Sequence, residues 1–549
     1  MPRNSSRIHS LRLSNGAPAL AAIRVLATLS VVFLIWSTVR LEPWSTAPRS
    51  TDAASSDIPW TEVNPIGVNT FLSREVEPWK RERTLGMAEE AGVGWIKQHF
   101  PWREIETGPD SYWDANFQQD AWAKYDAIVD SAERHGLRVI ARIDLAPQWA
   151  RPAGSTHTAP PSNYDDFAGF IADFVTRYQG RVQFIQVWNE PNLAAEWGGS
   201  IDPDGYAELL RVAAAAARRV DPNVVILSAP LAMTTENSER AMDDLSYWRA
   251  LYDAGASSSF DIMSANAYGL SQPYDANPDP ETLNVRRVEL LRDIAVEHGD
   301  GHKPIWLNEY GWNASPEDFP AAELIWSRVN ENQQAEWTAG GIDYLTSRHE
   351  WFGVANTWYF RQVGDIGAES SDYYFRAVDV EFTPRPLYRA LHDLGDSLRY
   401  APPGVHNDLA ASIRPVGTWS IIRSPNAIQG EYISGATGTV LTIGVEANRV
   451  VALLAEGQPA TAVVVTEEGG SSHEVAIEDG QREVTLATWP VDQAPRKRSI
   501  SLEVTGPEAL LLDGIEAREH RSHRTLIASG ALLVVTLACF AVIRRGTAT

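Results

Sequence analysis

The sequence predicts an α/β chain: a (β/α)8 TIM barrel followed by a small antiparallel β-domain, with a transmembrane helix near each end. Three observations predict it. Eight short apolar runs alternate with segments of helical spacing over roughly 330 residues. From about Ala401 the pattern turns to period-two alternation broken by glycine and acidic turns. Two uncharged apolar runs, 25–39 and 525–543, flank the rest.

Taken in order, Arg3, Arg7, Arg12 and Arg24 precede the first apolar run, so 1–44 reads as a basic cytoplasmic tail with a signal anchor or signal peptide. The stretch 45–59, rich in Ser, Thr, Ala and Pro, reads as a linker, and Ser45-Thr46-Ala47 offers a small-residue cleavage site. The barrel is expected over 60–400, with strands at 66–71, 94–100, 138–145, 182–188, 224–229, 260–268, 304–309 and 353–360. Each is a short apolar run of the kind buried on both faces of a parallel sheet.

Between the strands, Trp122, Tyr125, Ile128, Val129 and Ala132 share one helical face, with Gly136 as a stop. Tyr164, Phe167, Phe170, Ile171, Phe174 and Tyr178 form a second stripe ending at Gly180. Further helices are expected over 204–219, 280–298, 332–347 and 386–398. A doubly wound open sheet is the structural alternative. The β-domain, sandwich-like, is expected over 401–517; spacing, packing on the barrel and sugar binding are all open as its role. The run 525–543 is long enough at roughly 1.5 Å per residue to cross a hydrocarbon core of about 30 Å, and a buried helix of a soluble domain is the alternative. With 544–549 as a second cytoplasmic tail, two spans place the body outside the cell membrane, on the extracellular side.

Charge and composition remove several function classes. A net charge of -24 repels a phosphate backbone, so no nucleic acid is expected as partner. Cys539, the single cysteine, sits inside an apolar run, which leaves no intrachain disulfide, thiolate cluster or cysteine nucleophile. His349-Glu350 lacks the second histidine of a zinc-protease helix, and no G-x-G-x-x-G or P-loop is present, so neither a metal nor another cofactor is implied.

What remains is carboxylate chemistry. Retaining hydrolysis of a glycosidic bond needs two carboxyl groups about 5 to 5.5 Å apart, one protonated and one ionised. Glu190, in Trp188-Asn189-Glu190-Pro191-Asn192, follows the fourth expected strand, and Glu309, in Asn308-Glu309-Tyr310-Gly311-Trp312, ends the seventh. A barrel builds its active site at those carboxyl ends. Trp102, Trp149, Trp188, Trp312 and Trp358 also gather at strand ends, where aromatic rings can pack on sugar C–H faces, although core packing explains such rings as well. His99 could contact substrate or be a satisfied buried histidine, and Asp144 could bind a sugar hydroxyl or cap its loop.

These motifs resemble glycoside hydrolase clan A, and within it family 39 and the related membrane-associated endoglycosidases that process bacterial exopolysaccharides. Thr383-Pro-Arg-Pro-Leu-Tyr-Arg-Ala-Leu391 resembles the segment that opens the last barrel helix in these enzymes. The resemblance implies Glu190 as acid/base and Glu309 as nucleophile. It further implies that Asn189 binds the sugar 2-hydroxyl, Tyr268 holds the nucleophile and Trp358 floors the cleavage subsite. Asn308 departs from the small residue that commonly precedes the nucleophile. For the basic residue that some members place there, Lys97, His99 and Arg142 are all candidates. The expected substrate is a polysaccharide or oligosaccharide, cleaved by double displacement. A non-catalytic glycan-binding or assembly component, or a transglycosylase, is the alternative.

Overall fold

Eight of the apolar runs form parallel strands: β1 (Ile66–Thr70), β2 (Trp95–Pro101), β3 (Arg138–Asp144), β4 (Phe184–Val187), β5 (Val225–Leu227), β6 (Met263–Tyr268), β7 (Ile305–Gly311) and β8 (Phe352–Thr357). The structure, a computed structural model, describes residues 58–364, 366–490 and 496–519. Their hydrogen-bonded order is β5-β4-β3-β2-β1-β8-β7-β6. A parallel bridge from Leu227 to Ile262 joins β5 to the start of β6 and closes the sheet. Residues of these strands are buried almost throughout, as strands covered by side chains within and helices outside must be.

A helix follows each strand: α1 (Pro78–Glu90), α2 (Ala123–Arg134), α3 (Tyr164–Arg177), α4 (Pro203–Val220), α5 (Asp244–Asp253), α6 (Arg287–Glu297), α7 (Glu331–Arg348) and α8 (Pro386–Leu398). Their starts are written in the sequence. Asn163, Asp202 and Asp243 cap backbone N–H groups of α3, α4 and α5, and Asn330 with Gln333 makes a capping box on α7. Proline opens α1, α4 and α8, where its missing N–H goes unneeded. The sequence reading did not single out α1 and α5. Four successive charged residues, Lys80 to Arg83, precede the short buried stripe of α1, and α5 spans only 10 residues.

Inside the barrel, the amino-terminal half is filled by rings. Trp95 and Phe184 lie 4.8 Å apart between centroids, Trp95 and Trp306 5.0 Å, and Trp60 and Phe184 5.4 Å. The indole N–H groups of Trp95 and Trp306 donate to the carbonyls of Asn64 and Trp60, so neither of these two buried donors is stranded. Gly353 makes room: a Cβ there would sit 2.0 Å from the Trp306 indole nitrogen.

Beyond Ala401, eleven strands form a sandwich of two antiparallel sheets: β9 (Gly404–Asn407), β10 (Ile413–Val416), β11 (Trp419–Arg423), β12 (Glu431–Gly435), β13 (Val440–Ala447), β14 (Arg449–Leu454), β15 (Thr461–Glu467), β16 (Ser472–Ile477), β17 (Glu483–Thr488), β18 (Arg496–Val504) and β19 (Leu510–Arg518). One sheet runs β11-β12-β19-β14-β17 with β9 on β19, and the other β10-β13-β18-β15-β16. The sandwich docks on the amino-terminal end of the barrel. Gln183, just before β4, pairs with the Ile421 backbone through both its amide groups, at 2.8 and 2.7 Å. Arg423 donates to the Val224 carbonyl and pairs with Asp261, and the Asn64 N–H donates to the Leu409 carbonyl. Of the three roles left open, packing on the barrel is therefore fulfilled.

The expected transmembrane helices require correction. Among the described residues no helix is long and apolar enough to cross a membrane. The 18-residue helices α4 and α7 are amphipathic surface helices, carrying Asp204, Glu208 and Arg211 on one and Glu331, Glu336 and Asp343 on the other. The runs 25–39 and 525–543, with the tails 1–44 and 544–549, lie outside the described residues, as does most of the linker at 45–59.

Candidate active site

The turn after β4 is tightly shaped. Trp188 and Glu190 both take left-handed backbone angles, φ 72° and 46°. That costs roughly 1–2 kcal/mol per residue for a side chain with a Cβ. The turn is held by its neighbours: the Glu190 N–H donates to the Pro230 carbonyl at 3.0 Å, and the Trp188 indole donates to the Glu196 carbonyl at 3.1 Å. Fully buried Asn192 exchanges hydrogen bonds with the Ala232 backbone and donates to Met242. Glu190 is thereby presented to the lumen.

Glu309 reaches the lumen by another device. Along β6 and β7, Ala265 pairs with Leu307 but Asn266 pairs with Glu309, so β7 carries one surplus residue, Asn308, relative to its neighbour. This is a β-bulge. Strict alternation from inward Trp306 and outward Leu307 would turn Asn308 in and Glu309 out. The bulge lets both face inward, with Tyr310 outward under α7, where its hydroxyl donates to the Thr338 carbonyl.

Inside, Lys97 Nζ lies 3.2 Å from Glu309 Oε1 and donates to the Asn308 carbonyl, and the Tyr268 hydroxyl donates to Glu309 Oε2 at 2.8 Å. Among Lys97, His99 and Arg142, it is Lys97 that meets Glu309. Asn266 Nδ2 donates to Glu190 Oε1 at 2.6 Å. The departure at Asn308 is also accommodated: its amide donates to Gln186 Oε1 at 2.6 Å, while Gln186 Nε2 donates to the Trp188 carbonyl and lies 3.5 Å from Asn189 Oδ1. One amide chain thus ties β7 to the turn after β4.

The two carboxyl groups stand in unequal fields. Burial and then the charge of Glu309 push Glu190 up to about 8, with Arg142 and the Asn266 hydrogen bond opposing. Burial and the Glu309 charge likewise raise the Tyr268 phenol, which stays a donor. Burial lowers Lys97, and Glu309 opposes it. Glu196 and Asp372, nearby, are both raised chiefly by burial. Burial would raise Asp144 too, but Arg142 and His99 outweigh it and hold the group low.

Asn189, Tyr268, His99 and Trp358 also come to this mouth. Asn189 is buried beside Glu190. His99 is part-exposed, its Nε2 hydrogen-bonded to Asp144, which also accepts from Arg142 Nε at 2.6 Å. Half-buried Trp358 stands edge-on to Phe71 at 5.6 Å in the cluster that includes Tyr268. Trp312 requires correction. It is 1% exposed, packs edge-on to Tyr310 and donates its N–H to the Gln272 carbonyl, so its ring belongs to the barrel-to-helix core and away from the lumen. Its carbonyl accepts from Gln334 Nε2 of α7 at 2.6 Å.

Sequence reasoning passed over Asn266 and Trp326. Asn266 lies two residues before Tyr268 on a strand, hence on the same face, a signal that period-two counting carries. Trp326 stacks on Tyr268 at 5.2 Å and 10° from a long loop where no periodicity points to it.

The closed (β/α)8 barrel thus carries a carboxyl group at the end of β4 and another on β7, close enough for the charge of Glu309 to act on Glu190. In sequence the chain is similar to two β-xylosidases. It is 24% identical over 300 residues to a β-xylosidase of Geobacillus stearothermophilus, covering 50% of this chain and 56% of that protein. It is 21% identical over 344 residues to a β-xylosidase of Caldicellulosiruptor saccharolyticus, covering 58% of this chain and 64% of that one. The chain thus spans less than two thirds of the length of these relatives. No protein-family model matches. Similar solved structures include a family 39 glycoside hydrolase from Bacteroides cellulosilyticus WH2, at TM-score 0.45 and 18% identity over 82% of each chain. Another is a monomeric β-xylosidase from Caulobacter crescentus CB15, at TM-score 0.44 and 14% identity over 81% of this chain and 97% of that one.

Proposed function

We propose that the protein is a retaining glycoside hydrolase that cleaves O-glycosidic bonds of a polysaccharide or oligosaccharide by double displacement. Glu190 is the acid/base and Glu309 the nucleophile. The observation that carries this reading is the inequality of the two groups: Glu190 is pushed up to about 8, while Glu309 is met by the Lys97 ammonium and the Tyr268 hydroxyl. One group keeps its proton at neutral pH and the other is supported as an anion.

In the first step Glu309 attacks the anomeric carbon, the glycosidic C–O bond breaks, and Glu190 gives its proton to the leaving oxygen. A sugar ester of Glu309 remains. Esterification removes the Glu309 charge, one of the two chief causes holding the proton on Glu190. Glu190 then takes a proton from water as it attacks the ester, restoring Glu309 as a carboxylate. Asn189 and Trp358 are assigned to the sugar, through its 2-hydroxyl and its ring face. Similarity to β-xylosidases makes β-xylosides the first substrates to offer.

The test is chemical. Glu309→Ala is expected to abolish cleavage of glycans and aryl glycosides, and azide to restore turnover of an activated aryl glycoside by Glu190→Ala. Full activity in Glu309→Ala, or initial inversion of the product anomer by NMR, removes the reading. A site of action outside the cytoplasm is a further proposal, resting on the Arg-flanked apolar sequence at 25–39. Protease accessibility of the body on intact cells checks it.

A further inference from the structure

Strand β6 turns Ser264, Asn266 and Tyr268 to one face by its period of two. Two of these donate to the two carboxyl groups, Tyr268 to Glu309 and Asn266 to Glu190. The bulge at Asn308 puts Asn266 opposite Glu309 in the ladder, and its side chain crosses to Glu190. Resting on the function proposed above, we infer that Asn266 is the positioning residue of the second chemical step. Its amide N–H favours the carboxylate form of Glu190, the form that takes a proton from water, and its hold on Oε1 leaves Oε2 to carry the proton in the first step.

The groups facing Glu190 lead to this role. Glu309 on β7 and Glu196 after β4 favour its protonated form, as burial does, and Arg142 on β3 favours the ionised form. Lys97 on β2 and Tyr268 on β6 also lie within its field. Once Glu309 is esterified its charge is gone, but burial and Glu196 still hold the proton on Glu190. Of the opposing groups, Asn266 is the one in hydrogen-bond contact. Its Oδ1 is buried without a hydrogen-bond partner among the described residues, so the amide is oriented by Glu190 alone. The reverse orientation would set two acceptors against each other whenever Glu190 is ionised.

Titration of the full chain labelled with δ-13C-glutamate tests this without a substrate, the Glu190 signal being identified by its loss in Glu190→Gln. Removing one donor to a charged group is expected to raise the Glu190 midpoint by about one pH unit in Asn266→Ala. The midpoint should rise further in the isosteric Asn266→Asp, which replaces the donor by a second anion. Asn266→Asp also decides the matter if the alanine variant fails to fold. On 4-nitrophenyl β-D-xyloside, the same variants should release 4-nitrophenol in a burst followed by a steady rate about tenfold slower than wild type, because the second step has become limiting. A midpoint unmoved in a folded variant overturns the inference, as does a loss of activity without burst or shift. Failure of azide rescue in Glu190→Ala sinks the function instead and leaves the titration readable.

Discussion

Replacing Lys97 by methionine isolates the electrostatic support of Glu309. Methionine fills a similar apolar volume, so packing changes little while the charge is lost. The side chains of the pair are 2% and 8% exposed, with 3.2 Å between Nζ and Oε1. Breaking a buried pair by removing one partner costs about 3–5 kcal/mol, because the other charge is left unpaired. Tyr268 still donates to Glu309 Oε2 at 2.8 Å and retains part of the support, which brings the expectation to about 2–4 kcal/mol at pH 7. Urea denaturation reads this as a lower midpoint with an unchanged slope. The double variant Lys97→Met/Glu309→Gln leaves no charge buried at that point and should recover most of the loss. A single variant within about 0.5 kcal/mol of wild type, or a double variant no more stable than the single, refutes the reasoning.

Two more predictions concern pH and the barrel floor. In the proposed reaction Glu190 gives its proton in the first step, and because it is raised to about 8 that form is full below this value and lost as pH rises through it. The basic limb of kcat/KM should therefore fall near pH 8 on any cleaved aryl glycoside, and a limb below pH 6 would contradict the environment described. Trp306→Ala should destabilise the fold by about 3–5 kcal/mol, read by thermal or urea denaturation, because Trp95, Phe184 and Trp60 cannot close over the space of an indole.

The parts of this molecule legible in its sequence are those whose physics is local or periodic. All eight barrel strands fall on the apolar runs that mark them, since burial on two faces needs an unbroken run. Helices α2, α3, α4, α7 and α8 follow their stripes, while α6 begins at Arg287, after 280–286, because the chain there turns through a bridge of Asp279 to Thr282. Glu190 and Glu309 stand out because strand-end acids are countable. What depends on a partner in space was hidden. No composition marks the surplus residue at Asn308, since the bulge exists only in relation to β6 and β8. The choice of Lys97 over His99 and Arg142 is set by which side chains the barrel curvature brings across the lumen. For Trp312 the deciding fact is Gly269, where even a Cβ would lie 1.9 Å from the indole, so the ring fills a slot that a count of strand-end aromatics does not reveal.

The aromatic floor and the sandwich beneath it occupy one end of the barrel, and Glu190 and Glu309 the other. Robustness and specificity are accordingly housed in different residues. The loops carrying Trp326 and Trp358 can drift, lengthen or be exchanged in a laboratory selection while Trp95, Phe184, Trp306 and the Gln183–Ile421 clasp go on holding the scaffold. A chain built this way is free to alter its mouth without relearning how to fold.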